Sequence, residues 1–158
     1  MADHSIRGKV ALIAGGGKNL GGLIARDLAG HGARAVVVHY NSESSRAEAE
    51  TTVAAVRALG AEAVALQGDL THAGAVERLF AEAVDAVGRP DIAINTVGKV
   101  LKKPLMEITE AEYDEMAAVN GKSAFFFLKE AGRHVNDHGK IVTCLLYTSP
   151  SPRDATLS

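Results

Sequence analysis

The feature that most constrains this chain is a repeated alternation of short apolar runs with longer amphipathic stretches. The runs are Val10 to Ala14, Ala35 to His39, Ala63 to Gln67, Ile92 to Thr96 and Lys140 to Thr143. Each is the length of a strand and apolar on both alternating faces, as expected where helices cover a sheet on both sides. Alternation of this kind is the pattern of successive βαβ units and a parallel sheet.

The stretches between them read as helices. Val76, Leu79, Phe80, Ala83, Val84 and Val87 recur at i, i+3, i+4, i+7, i+8 and i+11, one face of a helix, with Thr71 expected as its N-cap. Thr109 and Glu112 have capping-box spacing and open a helix predicted to run through Met116, Val119 and Phe125 to about Arg133. Earlier helices are predicted from Leu20 to Ala29 and from about Ser44 to Leu59, the latter with Val53, Val56 and Leu59 on one side. Gly30, Gly32 and Gly60 act as stop signals. The fold class is therefore α/β, with a doubly wound parallel sheet, and no internal repeat stands out beyond the βα alternation.

Charge narrows the partners. Seventeen basic against nineteen acidic residues give a net charge near −2, which provides no field for nucleic acid or for an anionic membrane, so the expected partner is a small molecule. Apolar runs such as Val36 to Val38 and Phe125 to Leu128 are far too short to span a bilayer, and Met1 to Val10 lacks a signal-peptide core, so a cytoplasmic location is expected. A single cysteine, Cys144, leaves neither a disulfide framework nor a thiolate metal cluster. His134 and His138 share i,i+4 spacing beside Asp137 and are read as helix-terminal histidines facing the negative end of the dipole, so no metal is expected.

The turn after the first run reads Ala14, Gly15, Gly16, Gly17, Lys18, Asn19, Leu20, Gly21, Gly22. A strand, a glycine-dense turn and a helix start are what a dinucleotide pyrophosphate requires, because bare backbone approaches closely and amide N–H groups face the anion. The spacing G-x-G-x-x-G fails at Leu20, and a Walker A loop fails at Leu12 and Asn19. What fits is T-G-x-x-x-G-x-G, with Ala14 in place of threonine, Gly15 and Gly21 matching, and Asn19 at the middle glycine. Asn is the non-glycine residue that best tolerates positive φ.

That spacing resembles the short-chain dehydrogenase/reductase family, and three further motifs follow in the family's order. Asp69 and Leu70 come after the third run, where the family's acidic residue contacts adenine. Asn95, Thr96, Val97, Gly98 resembles the N-N-A-G element that stabilises the sheet and lines the cofactor site, with Thr96 and Val97 departing from it. Asn120 matches the catalytic asparagine, which in relatives helps to hold a proton-relay water; read by itself, it is an Asn that interrupts a helix and hydrogen-bonds locally. The resemblance covers residues 7 to 143 and implies a Rossmann-type domain over 1–143, truncated after the fifth strand. It implies a carbonyl/alcohol substrate, with 3-oxoacyl-carrier-protein reductases among the relatives, and a homo-oligomer for the parent protein.

Cofactor choice in such folds is read at the end of the second strand, where an acid would accept from a ribose 2′-hydroxyl and repel a 2′-phosphate. The chain has Tyr40, Asn41 and Ser42 after His39, and its first carboxylate there is Glu43. Lys18 sits in the glycine turn, and Arg46 is near enough in sequence to reach a phosphate. NADP(H) is therefore expected rather than NAD(H). The cofactor-binding set is Gly15, Gly17, Lys18, Asn19, Leu20, Gly21, Tyr40, Asn41, Ser42, Asp69, Leu70, Asn95, Val97 and Gly98.

The family's chemistry uses a serine after the fifth strand and a tyrosine with a lysine four residues on, which share a helix face. Tyr40, Tyr113 and Tyr147 are followed at that spacing by Ser44, Ala117 and Ser151. From Cys144 the sequence leaves the βα pattern. Cys144 to Asp154 match the constant part of one frame of a transposase-type sequencing adapter, Ala155 to Leu157 fall on its variable index, and Ser158 begins the next constant segment. Residues 144–158 are thus expected to be a non-native tail, the other reading being a natural Ser/Pro-rich disordered one. The chain as written is expected to be inactive, its parent an oxidoreductase; a non-catalytic nucleotide-binding module on the same fold is the competing reading.

Overall fold

A computed structural model describes residues 4–144. The expectation about the tail therefore lies, from residue 145 onward, outside the described residues. The elements run β1 (Val10–Ala14), α1 (Asn19–Gly30), β2 (Ala35–Tyr40), a 3₁₀ turn (Glu43–Ser45), α2 (Arg46–Ala58), β3 (Glu62–Gln67), α3 (Ala73–Val87) and β4 (Ile92–Asn95). A second 3₁₀ turn (Leu105–Glu107), α4 (Glu110–Met116), a π-helical segment (Ala117–Lys122), α5 (Ser123–His134) and β5 (Lys140–Thr143) follow.

The five strands form one parallel sheet in the order β3-β2-β1-β4-β5. Successive units move outward from β1 through β2 to β3, and the chain then crosses to the other side of β1 to lay down β4, with Ala14 opposite Asn95. Alternation along the strands feeds two cores. Ala11, Ile13, Val36 and Val38 pack with Ala25 and Ala29 of α1 and Val53 and Val56 of α2. Val10, Leu12, Ala14, Ala35 and Val37 face the other way, onto Val76, Leu79 and Phe80 of α3 and Phe127 and Ala131 of α5. The sheet is thus covered on both sides, as its apolar runs require.

Three expectations are corrected. Thr71 does not cap α3: its hydroxyl and its N–H both donate to Asp69 Oδ1, at 2.7 and 3.0 Å, and the helix begins after an extended His72 that makes no side-chain cap bond. The helix opened by Thr109 is not uniform. Its capping box forms, with Thr109 N–H donating to Glu112 Oε2 at 2.8 Å, but the wide turn at Ala117–Lys122 divides it. His138 is not helical; α5 ends at His134, and His138 has φ 64° in the turn before β5. His134 Nδ1 instead donates to the Glu130 carbonyl at 2.9 Å. Among the described residues no three His, Cys, Asp or Glu side chains are grouped to hold a metal, and no helix is long and apolar enough to cross a membrane.

Candidate cofactor-binding cleft

The switch in strand order leaves a crevice beyond the carboxyl ends of β1 and β4, where doubly wound sheets receive their ligands. It opens into a cleft of about 850 Å³. Gly15, Gly17, Lys18, Asn19, Leu20, Gly21, Tyr40, Asn41, Ser42, Asp69, Leu70, Val97 and Gly98 line it, thirteen of the fourteen residues expected to bind cofactor.

The glycines are needed at two places. Gly15 turns the chain out of β1 at φ 75°, and a Cβ there would lie 2.7 Å from Thr96 Oγ1. A Cβ on Gly21 would lie 2.2 Å from the Gly15 carbonyl oxygen, so only glycine lets α1 start this close to the strand end. Asn19 adopts φ 49°, the left-handed conformation expected of it. Lys18 is the N-cap residue of α1 and makes no side-chain cap bond, so the first turn of the helix is left open to the cleft. The leading amides of a helix lack intrahelical acceptors and carry the positive end of its dipole. An uncapped helix start on a glycine floor fits a pyrophosphate.

The fourteenth residue, Asn95, lies behind the cleft. It is 2% exposed, and its Oδ1 accepts the Val97 N–H at 3.0 Å, shaping the turn that presents Val97 and Gly98. Thr96, where the family motif has a second asparagine, donates its hydroxyl to the Ala14 carbonyl at 2.8 Å and so ties the end of β4 to the end of β1.

Asn120 sits in the π-turn outside the lining residues. Its Nδ2 donates to the Met116 carbonyl at 3.0 Å and to the Lys99 carbonyl at 2.9 Å, and its Oδ1 accepts the Lys99 N–H at 2.9 Å. In the i→i+5 pattern of a π-turn the carbonyl of Met116 faces the Gly121 backbone N–H rather than that of Asn120, and the Asn120 side chain adds a further donor to it. The same side chain holds the strand of backbone after Gly98, whose missing Cβ leaves room 3.2 Å from Asn120 Oδ1. Lys99 also ion-pairs with Glu115, closing the loop onto α4 from a second point.

Sequence reasoning missed His39. It is 1% exposed at the end of β2, and its ring bridges two loops: Nδ1 accepts the Gly15 N–H at 3.1 Å, and Nε2–H donates to the Gly68 carbonyl at 2.7 Å. Those partners fix one neutral tautomer. Burial holds its pKa below the usual histidine value, against the opposing pull of the Gly68 carbonyl and of Asp69. Asp69 is itself held below the ordinary carboxylate range, chiefly by the Thr71 hydroxyl. Arg46 does not line the cleft; it pairs with Glu43 at 2.8 Å and lies over the Tyr40 ring.

Against known proteins, residues 15–151 match the family described as Enoyl-(Acyl carrier protein) reductase. A short-chain dehydrogenase/reductase of Pestalotiopsis microspora is 39% identical over 135 residues, covering 85% of this chain and 50% of that protein. Elsinochrome reductase 1 of Elsinoe fawcettii is 38% identical over 142 residues, 90% of this chain and 52% of that one. Among solved structures, a putative dehydrogenase from Burkholderia cenocepacia with bound NADP superposes with a TM-score of 0.88 at 71% identity, covering 90% of this chain and 54% of that one. A short-chain dehydrogenase from Oenococcus oeni superposes with a TM-score of 0.80 at 40% identity, over 95% of this chain and 70% of that one. The chain belongs to the short-chain dehydrogenase/reductase family of oxidoreductases, and it spans about half the length of the curated relatives it matches.

Proposed function

We propose that this chain is the cofactor-binding half of an NADP(H)-dependent oxidoreductase that interconverts a carbonyl and an alcohol, 3-oxoacyl-carrier-protein reductase-like in type. The cleft carries this reading: a glycine floor, an uncapped helix start, Lys18 at the rim and no carboxylate among the Tyr40, Asn41 and Ser42 that follow His39. The NADP held by the Burkholderia cenocepacia protein and the reductase names of the fungal relatives support it.

In this reading Gly15, Gly17, Asn19, Leu20 and Gly21 take the pyrophosphate on bare backbone and first-turn amides. Tyr40, Asn41 and Ser42 face the adenosine ribose with Lys18 beside its 2′-phosphate, and Asp69 and Leu70 flank the adenine. Asn95, through Val97 and Gly98, shapes the wall toward the reacting end. The nicotinamide, when bound, supplies or accepts the hydride. Asn120 is assigned the catalytic asparagine's place, where its clamp on Lys99 and Met116 fixes the bend of the helix. The exposed Leu105, Met106, Tyr113 and Phe125 support a homo-oligomeric parent.

Fluorescence titration of the purified chain with NADPH and NADH tests the assignment. Tighter binding of NADPH is expected; a clear preference for NADH, or no binding of either, refutes it. No turnover is expected from the 158-residue chain, because none of its tyrosines has a lysine four residues on. That same observation favours a second reading, a non-catalytic nucleotide-binding module. Sequencing the source DNA past the codon for Thr143 discriminates: a native continuation into Ser and Tyr-x-x-x-Lys supports the enzyme, and one without them supports the module. Native codons through residues 144–158 would refute the adapter assignment.

A further inference from the structure

Lys18 is already engaged. Its ammonium lies 2.9 Å from Glu48 Oε2, with the two side chains 54% and 46% exposed. The geometry behind this pair is fixed, because the first turns of α2 are seated on the glycine turn. Ala49 is fully buried, with its Cβ 3.3 Å from where a Cβ on Gly17 would be, and the Thr52 hydroxyl donates to the Gly17 carbonyl at 2.8 Å. Glu48 therefore leaves α2 at a set distance from the turn, on the lining of the same cleft. The neighbouring cation, Arg46, is likewise matched by Glu43. Lys18 and Arg46 are thus each matched by a carboxylate before any ligand arrives.

A phosphate monoester carries roughly −1.5 to −2 charges at neutral pH. To take Lys18 it must displace Glu48 and settle beside its charge. A free 2′-hydroxyl meets no such opposition, since a carboxylate accepts a hydrogen bond from it. We propose that Glu48 is a specificity-determining residue: by holding Lys18 it narrows the margin by which the cleft prefers a 2′-phosphorylated dinucleotide over its unphosphorylated counterpart. The proposal rests on the reading of the cleft as a dinucleotide site.

The test is a cycle of four proteins, the wild type, Glu48→Gln, Lys18→Gln and the double variant, each titrated with NADPH and with NADH. Both residues are half exposed, so neither change removes a core contact, and thermal midpoints verify that the variants fold. Glu48→Gln is expected to tighten NADPH about threefold to fivefold, the scale of one exposed ion pair, and to leave NADH unchanged. That gain is expected to vanish in the Lys18→Gln background. The proposal is overturned if Glu48→Gln leaves NADPH affinity unchanged, shifts both dinucleotides equally, or tightens NADPH as much without Lys18 as with it. If neither dinucleotide binds the wild type, the reading of the cleft fails and the proposal with it.

Discussion

β1 and β5 belong to one parallel sheet and differ in nearly everything that stabilises a strand. All five residues of β1 are buried between helices, whereas Ile141 and Val142 in the middle of β5 are 41% and 49% exposed. β1 is paired on both sides, β5 with β4 alone among the described residues. The contrast extends to the helices. α1 and α2 are locked to the glycine turn, while the segment before and within α4 and α5 leaves Leu105, Met106 and Phe125 largely open, at 80%, 93% and 65%. The glycine-turn side of the cleft is thus mounted on the fully buried strands β1 and β2, and the region beyond β4 joins the core chiefly through one face of α5.

The sharpest way to break that comparison is to attack the one face. Phe127 is fully buried with its ring 5.2 Å from Phe80, and Phe127→Ala should cost about 4 kcal/mol in urea unfolding. Phe125→Ala, two residues away on the open side, should change stability by less than about 0.5 kcal/mol. Similar costs for the two would mean that α5 is not docked as described. On the covered side, Gly21→Ala should cost about 3 kcal/mol by overpacking against the Gly15 carbonyl and should abolish dinucleotide binding. Retained binding, read by NADPH fluorescence, would show that the turn has slack.

A smaller effect, graded by pH, concerns His39. Its folded-state pKa lies below its ordinary value, so the unfolded chain takes up a proton that the folded chain refuses. Stability is therefore whole above about pH 6.5 and falls as pH drops below it, by up to about 1.4 kcal/mol per pH unit from this group. His39→Gln should flatten that slope in denaturation curves taken from pH 7 to pH 5. An unchanged slope would place the acid sensitivity elsewhere.

Much of the fold was legible because it rests on local pattern. β1 and β5 fall where the apolar runs predict, and β2, β3 and β4 differ from prediction by a residue at one end. The glycine turn was legible down to the positive φ of Asn19, since few residue types tolerate that conformation. What escaped was side-chain pairing across sequence distance. His39 in an apolar run looks like one more strand residue until Gly15 and Gly68 are brought to its two nitrogens. Thr71 has the chemistry of a cap, but Asp69 two residues earlier competes for its hydroxyl and N–H and wins. The Lys18 and Glu48 pair spans the joint between two helices, which no periodicity encodes.

The π-turn at Ala117–Lys122 bears on how this helix can be edited. A wide turn holds one residue more than an α-helical turn, so the segments on either side are about 100° out of phase with an unbroken spiral. That offset aims Glu115 at Lys99 on one side while Phe127 enters the core on the other. Deleting a single residue from the turn would restore a uniform helix and swing its first half through more than a quarter circle, parting Asn120 from Lys99 with every other side chain unchanged. The angular phase of this helix is therefore a structural quantity in its own right, set by residue count rather than by residue type.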